Sequence, residues 1–201
     1  MNLLIVTQKV SVNDPILGFF HRWIIEFSKH FESIIIFCLE EGEHNLPSNV
    51  KVYSLGKDRG FGKFSVLKTF ISLVWNKRKE YDRVLVHMNP IYLVIAGFVW
   101  RFVFRKKVFL WYTHKSVDLK LRIAEKFPSK IFTASKESFR LPSRKVIVTR
   151  HGIDTNIFKP DYIKKDGRGL RMLTVGRISR SKSYFVFIRA LSMLVNKGLD
   201  A

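Results

Sequence analysis

Eight short runs of β-branched and aliphatic residues, at 3–7, 33–39, 50–54, 83–87, 107–111, 130–133, 145–148 and 171–175, alternate with longer segments of helical period. Strands separated by helices cannot pair through tight hairpins. The pattern predicts an α/β fold, a parallel sheet covered by crossover helices. With 201 residues, 47% of them hydrophobic, the chain has enough apolar mass for a sizeable core, which excludes a disordered or collagen-like polypeptide.

The first helix has the clearest signal. Asp14 is placed as its N-cap with Pro15 at the first helical position, and Phe20, Trp23, Ile24, Phe27 and Phe31 form one stripe opposite Arg22, Glu26 and Lys29. Further helices are expected at 63–79 and, nearly apolar all round, at 91–104. The polar, glycine-containing stretch 161–169 reads as a linker, dividing the chain into 1–165 and 166–201. The second part is expected to supply one strand and one helix, with Gly198 as the residue that ends the helix, and so only the opening of a second domain.

Thirty-six Lys and Arg oppose 16 Asp and Glu, a formal charge of +20. Residues 1–50 hold 3 basic and 6 acidic side chains; all of the excess positive charge lies beyond them. Such a field attracts phosphates on nucleic acid, anionic lipid or a nucleotide. The chain has no recognition-helix arrangement, no aromatic strand pair for RNA and no zinc finger, so no specific nucleic-acid partner is expected. The single Cys38 lies in an apolar run and reads as core. The N-terminus lacks the features of a signal peptide and the longest apolar segment is too short to span a bilayer, which places the chain in the cytoplasm. The basic, Phe-rich segments 63–79 and 91–105, flanked by Arg101, Arg105, Lys106 and Lys107, suggest peripheral contact with an anionic membrane.

The segment Leu173-Thr174-Val175-Gly176-Arg177-Ile178-Ser179-Arg180-Ser181-Lys182 reads as a strand that ends in Gly-Arg and leads to a helix starting at Ser181 or Ser183. A helix N-terminus offers free N–H groups, Gly176 permits close backbone approach, and Arg177 and Lys182 can converge on an anion. The same residues also read as ordinary solvated side chains of a basic protein. Two histidines end strands, where open α/β sheets bind ligands: His87, followed by Asn89 in a stretch that also reads as a turn, and His114 after Trp111-Tyr112-Thr113. The histidines and the single cysteine show no metal-ligand spacing.

Residues 175–182, together with His151-Gly152-Ile153-Asp154-Thr155-Asn156-Ile157-Phe158-Lys159-Pro160, resemble the interdomain region of the retaining GT-B glycosyltransferases of family four. The resemblance implies a Rossmann-like N-terminal domain with a parallel sheet, followed by the first β-α unit of a second one. It implies transfer of a sugar from a nucleotide diphosphate sugar to an acceptor hydroxyl with retention, in cell-envelope glycan or glycolipid synthesis. Arg177 and Lys182 would hold the donor diphosphate; Ser183 stands where the family has Gly and could cap the helix instead. His114 would face the transferred sugar as the catalytic residue, Gly18 would belong to the loop whose N–H groups face donor phosphate, and His87 and Asn89 would line the acceptor cleft. Gly152 would supply a positive φ, and Ser135 matches a recurring cleft serine that reads equally as a helix cap. The co-substrate is the nucleotide sugar, the acceptor a glycan or lipid-linked glycan, and no metal is expected. The family's Glu-x7-Glu motif does not follow Lys182. The alternative is therefore a truncated, non-catalytic remnant that binds glycan or partners.

Overall fold

The computed structural model describes residues 1–160, 172–176 and 178–198. They divide into two compact units, before and after Gly152. The expected boundary at 165/166 and the linker at 161–169 lie outside the described residues.

The first unit is built on seven strands: β1 (Asn2–Val10), β2 (Ser33–Glu41), β3 (Val50–Ser54), β4 (Arg83–His87), β5 (Lys107–Trp111), β6 (Lys130–Thr133) and β7 (Val146–Val148). They form one sheet in the order β3-β2-β1-β4-β5-β6-β7, with every neighbouring pair parallel. Parallel neighbours require crossovers, and these carry α1 (Gly18–Ser28), α2 (Lys63–Asn76), α3 (Ile91–Phe98) and α4 (Leu119–Ala124).

The period of two along each strand sorts the core into two layers. Leu4, Val6, Ile35, Phe37, Val84, Val86, Val108 and Leu110 pack with Phe70 and Val74 of α2, Leu93 and Ala96 of α3, and Leu121 of α4. Leu3, Ile5, Ile34, Ile36 and Cys38 face the other way, against Phe20 and Ile24 of α1. A sheet covered on both faces needs continuous apolar strands, which is why these sequences show no alternation. Cys38 is core, as expected, and burial pushes its thiol up to about 12.

Local differences from expectation have physical causes. α1 begins four residues later than Asp14, because the Asp14 carboxylate accepts the Ile16 and Leu17 N–H groups (2.9 and 2.7 Å) and closes a separate turn first. The third helix passes at Val99–Val103 into a π-helical turn that buries Trp100, whose Nε1–H donates to Tyr81 Oη at 3.0 Å. It ends at Arg105, in the left-handed region at φ 54°. Gly97 lets α3 approach Phe127, where a Cβ would lie 2.6–2.9 Å from the base of the ring.

In the second unit the expected strand is not formed: 172–175 are irregular among the described residues. The helix is present as α5 (Tyr184–Asn196) and Gly198 follows it at φ 81°, as its position predicts.

Candidate functional site

The strand order reverses at β1, whose two neighbours, β2 and β4, are reached by crossovers on opposite sides. In open α/β sheets ligands bind outside the carboxyl ends of the strands at such a point. Gly18, His87, Asn89 and His114 all belong to segments leaving this edge.

His87 closes β4. Its pairing with β1 ends one step earlier, at Val6 opposite Val86, while β1 runs on to Val10 beside β2. The continuing strand and α1 therefore cover the histidine. Its ring stacks on Phe20 (centroids 3.8 Å apart, planes 8° apart), Nδ1 lies 3.0 Å from Thr7 Oγ1, and Nε2 has no hydrogen-bond partner. The expectation for His87 was a residue facing an open cleft; the structure buries it completely, and desolvation pushes its pKa down to about 3. The ring is neutral and forms the floor under this edge. Thr7, its partner, carries no signal in the sequence.

The chain leaves β4 through a strained turn. Met88 adopts φ 63°, and the Asn89 N–H donates to the His87 carbonyl two residues back at 2.8 Å. A left-handed conformation is costly for a side chain as bulky as Met and persists only where its surroundings impose it. Here the Met88 N–H is tied to the Trp111 carbonyl (2.8 Å) and the Thr113 hydroxyl donates to Met88 Sδ (3.2 Å). Asn89 turns its Oδ1 to the Ile91 N–H (3.2 Å) and so starts α3. Of the two readings of this stretch, the turn is present.

His114 is exposed one strand over. The Ser116 N–H, which can only donate, points at its Nδ1 from 3.2 Å, and Ser116 Oγ is 2.7 Å away. Nδ1 is thus an acceptor, and the neutral ring carries its proton on Nε2, free to donate outward. Tyr112 Oη donates to the Ser116 carbonyl (3.2 Å) and steadies the same loop.

The Gly18 N–H donates to the Asp14 carbonyl at 2.9 Å, so the amide expected to face phosphate is bonded within the chain. The close approach there is real: a Cβ on Gly18 would lie 3.0 Å from the Val12 carbonyl oxygen. The Leu17 and Ile16 N–H groups hold the Asp14 carboxyl below the usual range, followed in effect by Lys9, whose Nζ is 3.0 Å away. Ser135 caps the short helix Lys136–Ser138 through the Ser138 N–H (3.2 Å). The positive φ expected at Gly152 falls instead on Arg150, at 62°.

Arg177 lies outside the described residues. Lys182 is exposed in a short 3-10 turn, its stem 3.5 Å from where a Gly176 Cβ would be, and Tyr184 Oη donates to the Gly176 carbonyl at 2.6 Å. Ser183 has φ 51° and ψ 37° and makes no capping side-chain bond. The sequence expectation of a serine cap is therefore replaced by a left-handed residue, the conformation for which glycine is suited.

Among the described residues no group of three or more His, Cys, Asp or Glu is arranged to hold a metal, and no helix is long and apolar enough to cross a membrane.

No family model matches the chain, and no curated protein matches it. Among solved structures, Anabaena HepE in complex with UDP superposes with a TM-score of 0.56 at 17% identity, over 81% of this chain and 47% of that one. The first unit has the fold of a GT-B Rossmann-like domain. The same GT-B likeness extends to the apo form of the lipopolysaccharide outer core galactosyltransferase WaaB (TM-score 0.52, 13% identity, 76% of this chain and 46% of that one). It extends also to Acinetobacter baumannii MurG (0.50, 11%, 77% and 47%). The chain spans about half the length of these GT-B structures.

Proposed function

We propose that the chain is the acceptor-side part of a retaining glycosyltransferase, moving a hexosyl group from a nucleotide diphosphate sugar to a hydroxyl of a glycan or lipid-linked glycan in cell-envelope synthesis. One observation carries the reading: the strained Met88 turn leaves the sheet beside β1, where the strand order reverses, and the exposed His114 loop leaves the same edge one strand further along, in a fold shared with a structure in complex with UDP. In this reading Arg177 and Lys182 offset the negative charge that grows on the diphosphate as its bond to the sugar breaks. Gly18 keeps the 11–17 loop tight, His114 donates from Nε2 to the transferred sugar, and His87 and Asn89 shape the acceptor side, His87 from beneath. The nucleotide sugar is the only co-substrate and no metal takes part. The protein works on the cytoplasmic side, peripherally at the membrane that bears the acceptor.

The test offers the native protein a panel of nucleotide diphosphate sugars with glycan acceptors, follows nucleotide release, and reads the product anomer by NMR. Retention, indifference to EDTA, and a loss of about 100-fold or more in Arg177→Ala or Lys182→Ala are expected. An inverted product, or no release with the whole panel, overturns it. A second reading, binding without turnover, draws on the second unit, whose described residues form one long helix and no strand. Glycan binding by calorimetry without nucleotide release would select it.

A further inference from the structure

α2 presents an apolar stripe to solvent as well as one to the core. Phe64, Ile71 and Trp75 recur at intervals of seven and four, which places them within about 40° of one line along the helix. They are 86%, 52% and 53% exposed, while Phe70 and Val74 on the other side are buried. The next helix repeats the arrangement. Phe98 and Phe102 stand outward, 59% and 57% exposed, their rings 5.2 Å apart, while Trp100 between them is fully buried. The two outward faces meet where Trp75 packs on Phe104 at 5.5 Å.

An apolar face of this size on one layer of helices marks an interaction surface. Its charge selects the partner. Residues 63–107 hold ten Lys and Arg against two acids, Glu80 and Asp82. Glu80 is paired with Lys77 at 2.9 Å, and Asp82 accepts the Asn2 N–H at 2.9 Å. Lys68 and Lys79 flank the α2 stripe, Arg101 sits beside Phe102, and the Arg78 guanidinium lies 5.1 Å over the Trp75 ring. Bulky aromatic side chains ringed by cations match a bilayer whose headgroups are anionic: the rings enter the headgroup boundary while the cations meet lipid phosphate.

We propose that the outer face of α2 and of the α3 π-helical turn, centred on Phe64, Trp75 and Phe102, seats the protein on an anionic membrane surface. The topology gives the contact a direction. α2 and α3 run antiparallel to the strands, so Phe64 stands at the same carboxyl edge as Met88 and His114, and a lipid-borne hydroxyl would reach that edge from the bilayer. The transferase reading gives the surface its purpose, but vesicle binding needs neither donor nor acceptor, so failure of one is distinguishable from failure of the other.

The experiment is co-sedimentation of the full chain with vesicles of phosphatidylcholine alone and of phosphatidylcholine with phosphatidylglycerol. Binding to the anionic vesicles only is expected, weakened by salt and by about tenfold or more in Phe64→Ser/Phe102→Ser, and unchanged in Arg22→Ser on α1 across the sheet. Circular dichroism checks that the variants fold. Independently, brominated anionic lipid should quench a tryptophan signal that disappears in Trp75→Phe, since Trp100 and Trp111 are buried and the half-buried Trp23 lies on α1 across the sheet. Absence of binding, equal binding to both vesicles, or salt-sensitive binding that the double substitution leaves intact would overturn the proposal. So would a dimer in sedimentation velocity that the double substitution dissolves, which would make the occupant a second copy of the chain.

Discussion

Nδ1 of His87 lies 3.0 Å from Oγ1 of Thr7, one step past the last paired residues of β4 and β1. The contact ties the end of β4 to the strand that continues past it. With Phe20 stacked on the ring, it makes a dry, neutral floor beneath the edge where the strand order reverses.

That floor sets a pH dependence. The folded ring stays neutral down to about pH 3, whereas the unfolded chain takes up the proton below its ordinary 6.5. Between those values the unfolded state binds more protons, so stability is complete above about pH 6.5 and falls as pH drops, by about 4 kcal/mol across the window. Urea titrations at several pH values should trace this loss, and His87→Gln, which does not titrate, should flatten it. Buried His21, pushed down by desolvation and then by His44, adds in the same direction.

Ser183→Gly should stabilise the start of α5 by about 0.5–1 kcal/mol. The left-handed backbone there costs a serine more than a glycine, and the serine hydroxyl forms no cap to offset it. Slower amide exchange in α5 measures the gain, and Ser183→Val should accelerate exchange.

Gly97→Ala should destabilise the first unit by about 1–3 kcal/mol despite the better helix propensity of alanine. The new methyl meets Cδ2, Cγ and Cβ of Phe127, the near edge and base of the ring and not its far end. Thermal unfolding of this variant, in the native background and in Phe127→Ala, which removes Cγ and Cδ2, checks the cause: the added cost of the methyl should shrink in the second background.

His114→Ala should lower kcat/KM by about 10- to 100-fold through loss of one hydrogen bond to the reacting sugar, with folding stability unchanged because the ring is exposed. His114→Gln, which keeps a donor, should recover part of the rate. Steady-state kinetics and a denaturation curve on each variant decide it.

Much of the frame is legible in the sequence. β3 to β6 have the expected bounds, since short apolar runs between crossovers leave little freedom in where a parallel strand begins and ends. Gly198 ends α5 because only glycine takes φ 81° without strain. What was not legible depends on contacts distant in sequence. His87 reads as a ligand-facing strand end, yet it is covered because β1 runs four residues beyond its pairing with β4, which no local pattern encodes. Met88, Arg105, Arg150 and Ser183 take left-handed backbone that propensity assigns to glycine, so nothing in the sequence marks these residues as the left-handed ones, even where, as at Met88, a turn is legible. Asp14 was recognised as a cap, but of the wrong turn: its carboxylate reaches the two amides that precede the helix.

The most direct test of the site itself is hydrogen–deuterium exchange of the native protein with and without a nucleotide diphosphate sugar and acceptor. Protection at 11–18, 87–90 and 112–116 is the predicted result. Protection at the amino ends of the strands, or none at these segments under conditions of turnover, would contradict it.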